Sequence, residues 1–375
     1  MNGDFFNRIG VADMEKVHSA VIGWMFSNDC KALTANQKSE LLCGLFNVTP
    51  VQYFKDFRVE VEHHNIDVII ITDEKTNPKC WVIENKIKSS QHSNQLDKYV
   101  DIVQGKPVKI GRTIHQITDY LKMAQYFCFL TLINERPQYS KNVSWVNKTY
   151  KEFALLLSNY NLSSNPVPDA VILNEYLECI QNLANALDDF LKDHQNYPNV
   201  FLDGAKQKNP KLKTNAQAKG TYANFIAENG LETIFQKCFL SHIMRQTQHF
   251  QTGFSIFETH GTALAGKTLI KVKGTGTELG IQFQNGTFKV QVLGPDTTSN
   301  SVFWNKWNPL FPLIEGIIGP DWKRNNSKRL QGRYFSYSKR KNRSWYKKAV
   351  KGIAKEWDGM YQDCLAVLNV LQKYC

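Results

Sequence analysis

Residues 66 to 87 carry two apolar runs, IDVIIIT and CWVIENKI, joined by the polar turn DEKTNPK. Both runs are strand-sized and rich in β-branched residues, with turn formers between them, so they predict a β-hairpin. Trp81, Val82, Ile83 and Ile87 read as the middle of a buried strand. Three charges interrupt this text: Asp67, Glu84 and Lys86. Glu84 and Lys86 are two residues apart and leave the strand on one face. A hairpin symmetric about residues 73 to 78 sets Asp67 directly opposite Glu84, with Cβ atoms ~5 Å apart. Opposed carboxylates repel, and burying either one unpaired is costly.

A positive group is therefore required beside them. Lys86 is one candidate and a divalent cation is the other. Oxygen ligands with no nearby cysteine or paired histidine select Mg²⁺ or Mn²⁺ over zinc. Mg²⁺ also keeps water ligands, which suits hydrolysis, and Lys86 would offset the charge that builds on a phosphorane. An isolated E-x-K is usually a solvated pair; Asp67 opposite, with apolar neighbours on both strands, reverses that expectation. His63 and His64 read as turn or surface residues, since no further nearby histidine completes a metal spacing.

Around the hairpin, residues 12 to 46 have helical spacing, and 57 to 61 alternate as a strand. After the hairpin, SSQHSNQLDKYVDIV opens with capping-type serines and continues as a helix. An apolar strand follows at 126 to 134, a short one at 143 to 146, and helices at 150 to 160 and 170 to 191. Polar text from 193 to 221 predicts a linker or exposed connection. Beyond it come a helix over 222 to 245, a hairpin at IQFQNGTFKV and a closing helix with Ile353, Trp357, Met360 and Leu365 inward. Asn285-Gly286 suits a type I′ turn that pairs Phe283 with Phe288 and Ile281 with Val290. GTGTELG, at 274 to 280, lies between two strands with no following helix and reads as a turn, not a phosphate loop.

With these residues in view, Asp67 followed by Glu84-Asn85-Lys86 resembles the D…(D/E)-x-K signature of the PD-(D/E)XK nuclease superfamily, with Ile66 where a proline usually precedes the Asp. Gln95-Leu-Asp-Lys-Tyr99 resembles the Q-x-x-x-Y motif of the RecB-like branch; Gln95 and Tyr99 share one helix face. Glu15-Lys-Val-His18-Ser19 is similar to the E-x-x-H-S start of bacterial members, and WVNKTY, 145 to 150, to a later strand segment. The resemblance covers roughly residues 10 to 190. It implies an α/β, restriction-endonuclease-like core, a mixed sheet flanked by helices in αβββαβ order, and Mg²⁺-dependent cleavage of nucleic acid, usually DNA. Asp67 and Glu84 would be metal ligands and Asn85 would add its backbone carbonyl. Lys86 would be the catalytic lysine, with Glu15 facing the metal and Gln95 and Tyr99 in support. A role in restriction, phage defence or repair is implied as well.

Charge divides the chain unevenly. Residues 1 to 200 hold 20 Lys and Arg against 23 Asp and Glu, whereas 201 to 375 hold 26 against 11. The halves are thus −3 and +15, which points to a polyanionic partner met through the second. Between Lys323 and Lys351 there are 12 Lys or Arg and no acid. Arg324, Arg329, Arg333, Lys339, Arg340, Lys341 and Arg343 are the candidate phosphate contacts, and the interleaved Tyr334, Phe335, Tyr337, Trp345 and Tyr346 suit base stacking. Eight single cysteines fit free thiols in a reducing cytosol. MNGDFFNRIG lacks the regions of a secretory leader, and no apolar run approaches the ~20 residues of a membrane span, so a cytoplasmic protein is expected.

The expected organisation is a nuclease-like domain over 1 to 195 and a basic α+β domain over 222 to 375. Two other functions remain open at this point: a nucleic-acid-binding protein that reuses the fold without cutting, and a module whose basic half holds an acidic protein. Paired cuts on a duplex would call for a homodimer.

Overall fold

The computed structural model describes residues 4–49, 53–88, 91, 94–202, 219–250, 254–259, 262–325, 332–340 and 344–375. The chain forms two compact units. One runs through Asp189 and takes in Asn224–Ile234; the other comprises Phe190–Ala223 and Phe235–Cys375.

The first unit is built on a mixed sheet. Its strands are β1 (Phe57–His63), β2 (Ile66–Thr72), β3 (Lys79–Lys86), β6 (Ala124–Thr131) and β7 (Trp145–Thr149), in the spatial order β1-β2-β3-β6-β7. The first three are antiparallel, while β3, β6 and β7 run parallel. A small hairpin, β4 (Val108–Ile110) with β5 (Thr113–His115), stands apart; its three-residue strands are too short to leave a periodic signal. His64 and Asn65 turn the chain between β1 and β2 with φ of 52° and 63°, the left-handed geometry of a type I′ turn.

The β2–β3 register runs from Val68↔Ile83 to Thr72↔Lys79, the symmetry about residues 73 to 78 expected from the two runs. β3 is buried at every position after Lys79, which explains its unbroken apolar text.

Helices cover both faces. On one side lie α2 (Glu15–Phe26) and α3 (Ala35–Leu45), which follow the short α1 (Phe5–Arg8). Gly23 of α2 sits so close to β1 that a Cβ there would lie 2.3 Å from Val61 Cγ2. On the other side α4 (Gln95–Val103) buries Leu96, Tyr99, Val100 and Val103 against Ile69, Val82, Phe127 and Phe129. It begins after Asn94, held at φ 60° without a side-chain cap; the serines expected to cap it lie outside the described residues. The capping box of Thr149 with Glu152 starts α5 (Tyr150–Ser158), and α6 (Pro168–Lys192) follows.

Two expectations need correction. The single helix over 222 to 245 is two, α7 (Ala223–Glu228) and α8 (Glu232–Met244), because Gly230 breaks it at φ 61°. The proposed linker is partly core. Residues 194 to 202 form two 3₁₀ turns whose Tyr197, Val200 and Phe201 are buried. Phe201 stacks flat on Tyr346 with centroids 4.3 Å apart, so polar neighbours hid a short apolar anchor. Residues 203–218 of that stretch lie outside the described residues.

The second unit carries an antiparallel sheet of β8 (Ser255–Thr259), β9 (Thr262–Lys271), β10 (Glu278–Gln284), β11 (Thr287–Leu293), β12 (Lys323–Arg324) and β13 (Tyr334–Arg340), ordered β12-β13-β11-β10-β9-β8. The Asn-Gly hairpin pairs Phe283↔Phe288 and Ile281↔Val290, with Asn285 and Gly286 at φ 47° and 72°. GTGTELG spans the β9–β10 turn and the start of β10. The helices are α9 (Asn300–Trp307), α10 (Phe311–Ile318) and α11 (Val350–Gln372). Ile353, Trp357 and Met360 of α11 face inward as expected, but Cys364 takes the inner position instead of half-exposed Leu365.

Trp357 is packed against Phe283 with ring centroids 4.1 Å apart and is almost fully buried. Trp357→Ala should therefore lower the stability of this unit by about 3–5 kcal/mol, measured by denaturant titration; a loss no larger than that of an exposed substitution would contradict the packing.

Candidate active site

The hairpin brings Asp67, Glu84 and Lys86 together. Val68↔Ile83 is the last paired position of β2 and β3. One step beyond it, the ladder gives way to a side chain: the Asn85 N–H donates to Asp67 Oδ2 at 2.7 Å. Lys86 Nζ lies 2.5 Å from Glu84 Oε1, and both side chains are buried. Leu132 N–H donates to the Lys86 carbonyl on the β6 side. Strand alternation then turns the Asn85 N–H and C=O the other way, toward Asp67.

α4 supplies the next two groups. Gln95 Nε2 donates to Glu84 Oε1 at 2.8 Å and to the Tyr99 hydroxyl at 2.7 Å. Their i, i+4 spacing puts both over the carboxylates. Glu15, at the start of α2, uses Oε1 to accept from the Ile87 and Lys88 amides at 2.9 and 3.0 Å. It thus grips the end of β3. Lys88 in turn pairs with Asp13.

The electrostatics follow from burial. Desolvation, then the neighbouring Asp67, drives the Glu84 carboxyl well above its usual range, against the pull of Lys86. Asp67 is pushed up to about 6 by burial, with Lys86 and the Asn85 amide opposing. Burial works against the Lys86 charge too, yet Glu84 and Asp67 outweigh it and hold the ammonium above its ordinary value. Burial and Glu84 raise the Tyr99 phenol, which stays protonated.

These groups fit a hard divalent cation. Glu84 Oε2 is buried without a hydrogen-bond partner, a cost that a positive ligand would remove. Asp67, Glu84 and the Asn85 carbonyl are all oxygen donors. Among the described residues no three His, Cys, Asp or Glu side chains form a complete metal cluster. A two-carboxylate set suits Mg²⁺, which draws its remaining ligands from water and substrate phosphate.

Several contributors were not singled out from the sequence. Tyr150 O–H donates to Asn85 Oδ1 at 2.5 Å, although only its strand segment had drawn notice. Asp97, inside Q-x-x-x-Y, accepts from Ser140 N–H, Ser140 O–H and Lys141 N–H at 2.8–3.0 Å. This ties the loop before β7 to α4. A lone Asp on a helix gives no such signal in sequence.

The basic stretch is organised differently from expectation. Phe335, Tyr337 and Trp345 are buried, and Phe335 packs on Trp307 and Phe311. They are core residues rather than a stacking platform for bases: Phe335 and Tyr337 share one face of β13, and Trp345, beyond the strand, packs edge-on against Phe283. Arg324 stacks over Phe311 at 3.9 Å and pairs with Glu315. Arg333 donates to Thr298 O and Asp296, and Lys339 pairs with Asp363 and Asp321. Arg329, Lys341, Arg343 and the side chain of Arg340 lie outside the described residues.

The Asp67 shift makes stability depend on pH. A carboxyl whose pKa is raised on folding favours the folded state below its unfolded pKa, and that contribution is lost as pH rises through about 6. In EDTA, Asp67→Asn should therefore exceed wild type in stability at pH 8 by on the order of 3 kcal/mol. The gap should close toward pH ~4. Urea melts at the two pH values check this, and an Asn variant weaker than wild type at pH 8 would refute it.

Searches of curated proteins and of solved structures each returned no significant match. A family model described as the PD-(D/E)XK nuclease superfamily matches residues 3–252. That match takes in the E-x-x-H-S helix, the β2–β3 hairpin and α4, the elements that assemble the carboxylates, the lysine and the glutamine. The chain belongs to the PD-(D/E)XK nuclease superfamily.

Proposed function

We propose that the protein is a Mg²⁺- or Mn²⁺-dependent nuclease of the RecB-like branch that hydrolyses phosphodiester bonds in DNA. The observation that carries this reading is the cluster of half-buried Asp67 with buried Glu84 and Lys86, and Gln95 donating to the inner carboxylate. Asp67, Glu84 and the Asn85 carbonyl would hold the ion, and it would supply Lewis-acid stabilisation to a phosphoryl oxygen.

The chain's own groups divide the remaining work. Lys86 keeps its proton, so it offers a fixed positive charge to the phosphate as negative charge develops. Gln95 orients Glu84, and Tyr99 orients Gln95. Glu15 holds the end of β3, and its nearness to Lys86 adds to the charge that keeps the ammonium protonated.

The second unit would hold the substrate. Its support is the excess of 27 Lys and Arg over 10 Asp and Glu across residues 190–223 and 235–375. With Phe335, Tyr337 and Trp345 in the core, phosphate attraction rather than stacking is the mode that fits. A role in restriction, phage defence or repair in the cytoplasm fits such an enzyme. A homodimer would be needed for paired cuts.

The test uses purified protein with plasmid and with single-stranded DNA, in Mg²⁺ or Mn²⁺ and in EDTA. Cleavage should require the metal, and Lys86→Ala should lose it by at least ~10²-fold while DNA binding persists. Cleavage by Asp67→Ala at the wild-type rate would end the proposal. Metal-independent binding with no cleavage at all would instead favour a protein that grips nucleic acid without cutting it.

A further inference from the structure

Glu84 and Lys86 face α4, so Asn85 between them points to the opposite side of the sheet. There it is fully buried with three partners. Nδ2 donates to the Glu15 carbonyl at 2.9 Å and to Ser19 Oγ at 3.1 Å, and Oδ1 accepts from Tyr150 O–H. A carbonyl can only accept, so the orientation of this amide is settled by its neighbours. Ser19 O–H donates to the same Glu15 carbonyl, which leaves its oxygen free to accept from Asn85.

His18 braces this arrangement. Its ring meets Tyr150 edge-on with centroids 5.3 Å apart. Nε2 lies 2.8 Å from the Ala12 carbonyl and so carries the proton, and Nδ1 accepts from Tyr176 O–H at 3.1 Å. Burial lowers its pKa to about 4, so the ring is neutral. The three named residues of E-x-x-H-S therefore converge on one strand. Glu15 clamps the amides after Lys86, Ser19 takes the Asn85 amide, and His18 packs the tyrosine that supplies the third bond.

We propose that Asn85 is a positioning residue, whose side chain locks the end of β3 from the far face of the sheet and thereby sets the Asp67–Glu84 pair for its cation. Its backbone N–H holds Asp67 on the near side while its amide is held on the other. A shift at Asn85 would thus displace both carboxylates together. Ser19, the Glu15 carbonyl and Tyr150 act through this one residue, while the Glu15 carboxylate holds the two amides that follow Lys86.

The proposal rests on the nuclease reading, and the test separates the two. Replacing Asn85 would orphan several buried groups at once, so it is left intact. Ser19→Ala and Tyr150→Phe each remove one partner of its amide, and Tyr160→Phe removes a tyrosine bond to Gln37 elsewhere as a control. Steady-state cleavage gives kcat and KM, and Mn²⁺ affinity is read by electron paramagnetic resonance without substrate. Each single variant should lose about tenfold in kcat and in Mn²⁺ affinity, with KM within about twofold. The double variant should lose far less than the product of the two, since both act on one amide. Tyr160→Phe should match wild type.

Multiplicative losses, unchanged kcat and Mn²⁺ affinity in both single variants, or an equal loss in Tyr160→Phe would each overturn the strut. A wild-type protein that fails to cleave with either metal would instead remove the nuclease reading, and the Mn²⁺ affinities would then decide the role of Asn85 alone.

Discussion

Two carboxylates set across a hairpin, half-buried Asp67 and fully buried Glu84, are the constraint around which the first unit is arranged. Neither is well placed by itself: burial raises the proton affinity of both, and Asp67 raises that of Glu84 further. Lys86 relieves part of that cost from the same strand. Gln95 relieves more from α4, yet Glu84 Oε2 still lacks a partner. Such a cluster is retained only if surrounding structure over-determines it, and it is a candidate site for that reason.

The surrounding structure does so from both faces of the sheet. On the near side, the aliphatic core under α4 brings Gln95 and Tyr99 over the carboxylates, and Asp97 anchors the loop leading into β7. On the far side, α2 meets the same strand through Glu15 and Ser19, with Tyr150 arriving from α5. β3 is therefore held at alternate residues from alternate faces. β3 reaches its parallel neighbour β6 through α4, β6 reaches β7 through the helix-free stretch 132–144, and α5 follows β7 directly, so its first residue, Tyr150, reaches Asn85.

The second unit shows how charge and aromatic content can part company. Its basic text between Lys323 and Lys351 looked like one nucleic-acid surface. In the fold, Phe335 and Tyr337 of β13 are buried in the core, while Arg333, just before the strand, and Lys339 near its end pair with acids distant in sequence. What remains is net charge, a long-range property that pairing within the unit reduces locally but does not cancel.

The hairpin, its register and the approach of Asp67 to Glu84 were determined by sequence alone, because turn length and two-residue periodicity act over short range. The Asn-Gly hairpin was legible for the same reason; Gln95 and Tyr99 were marked by their resemblance to Q-x-x-x-Y, and their helix-repeat spacing put them on one face. Only the tertiary structure decided the far-face partners of Asn85, the loop held by Asp97, the break at Gly230 and the burial of Phe201 and the β13 aromatics. Each of these depends on which surfaces meet across tens or hundreds of residues. Local pattern carries no record of such a meeting, since a polar side chain reads alike whether it ends in water or on a distant backbone carbonyl.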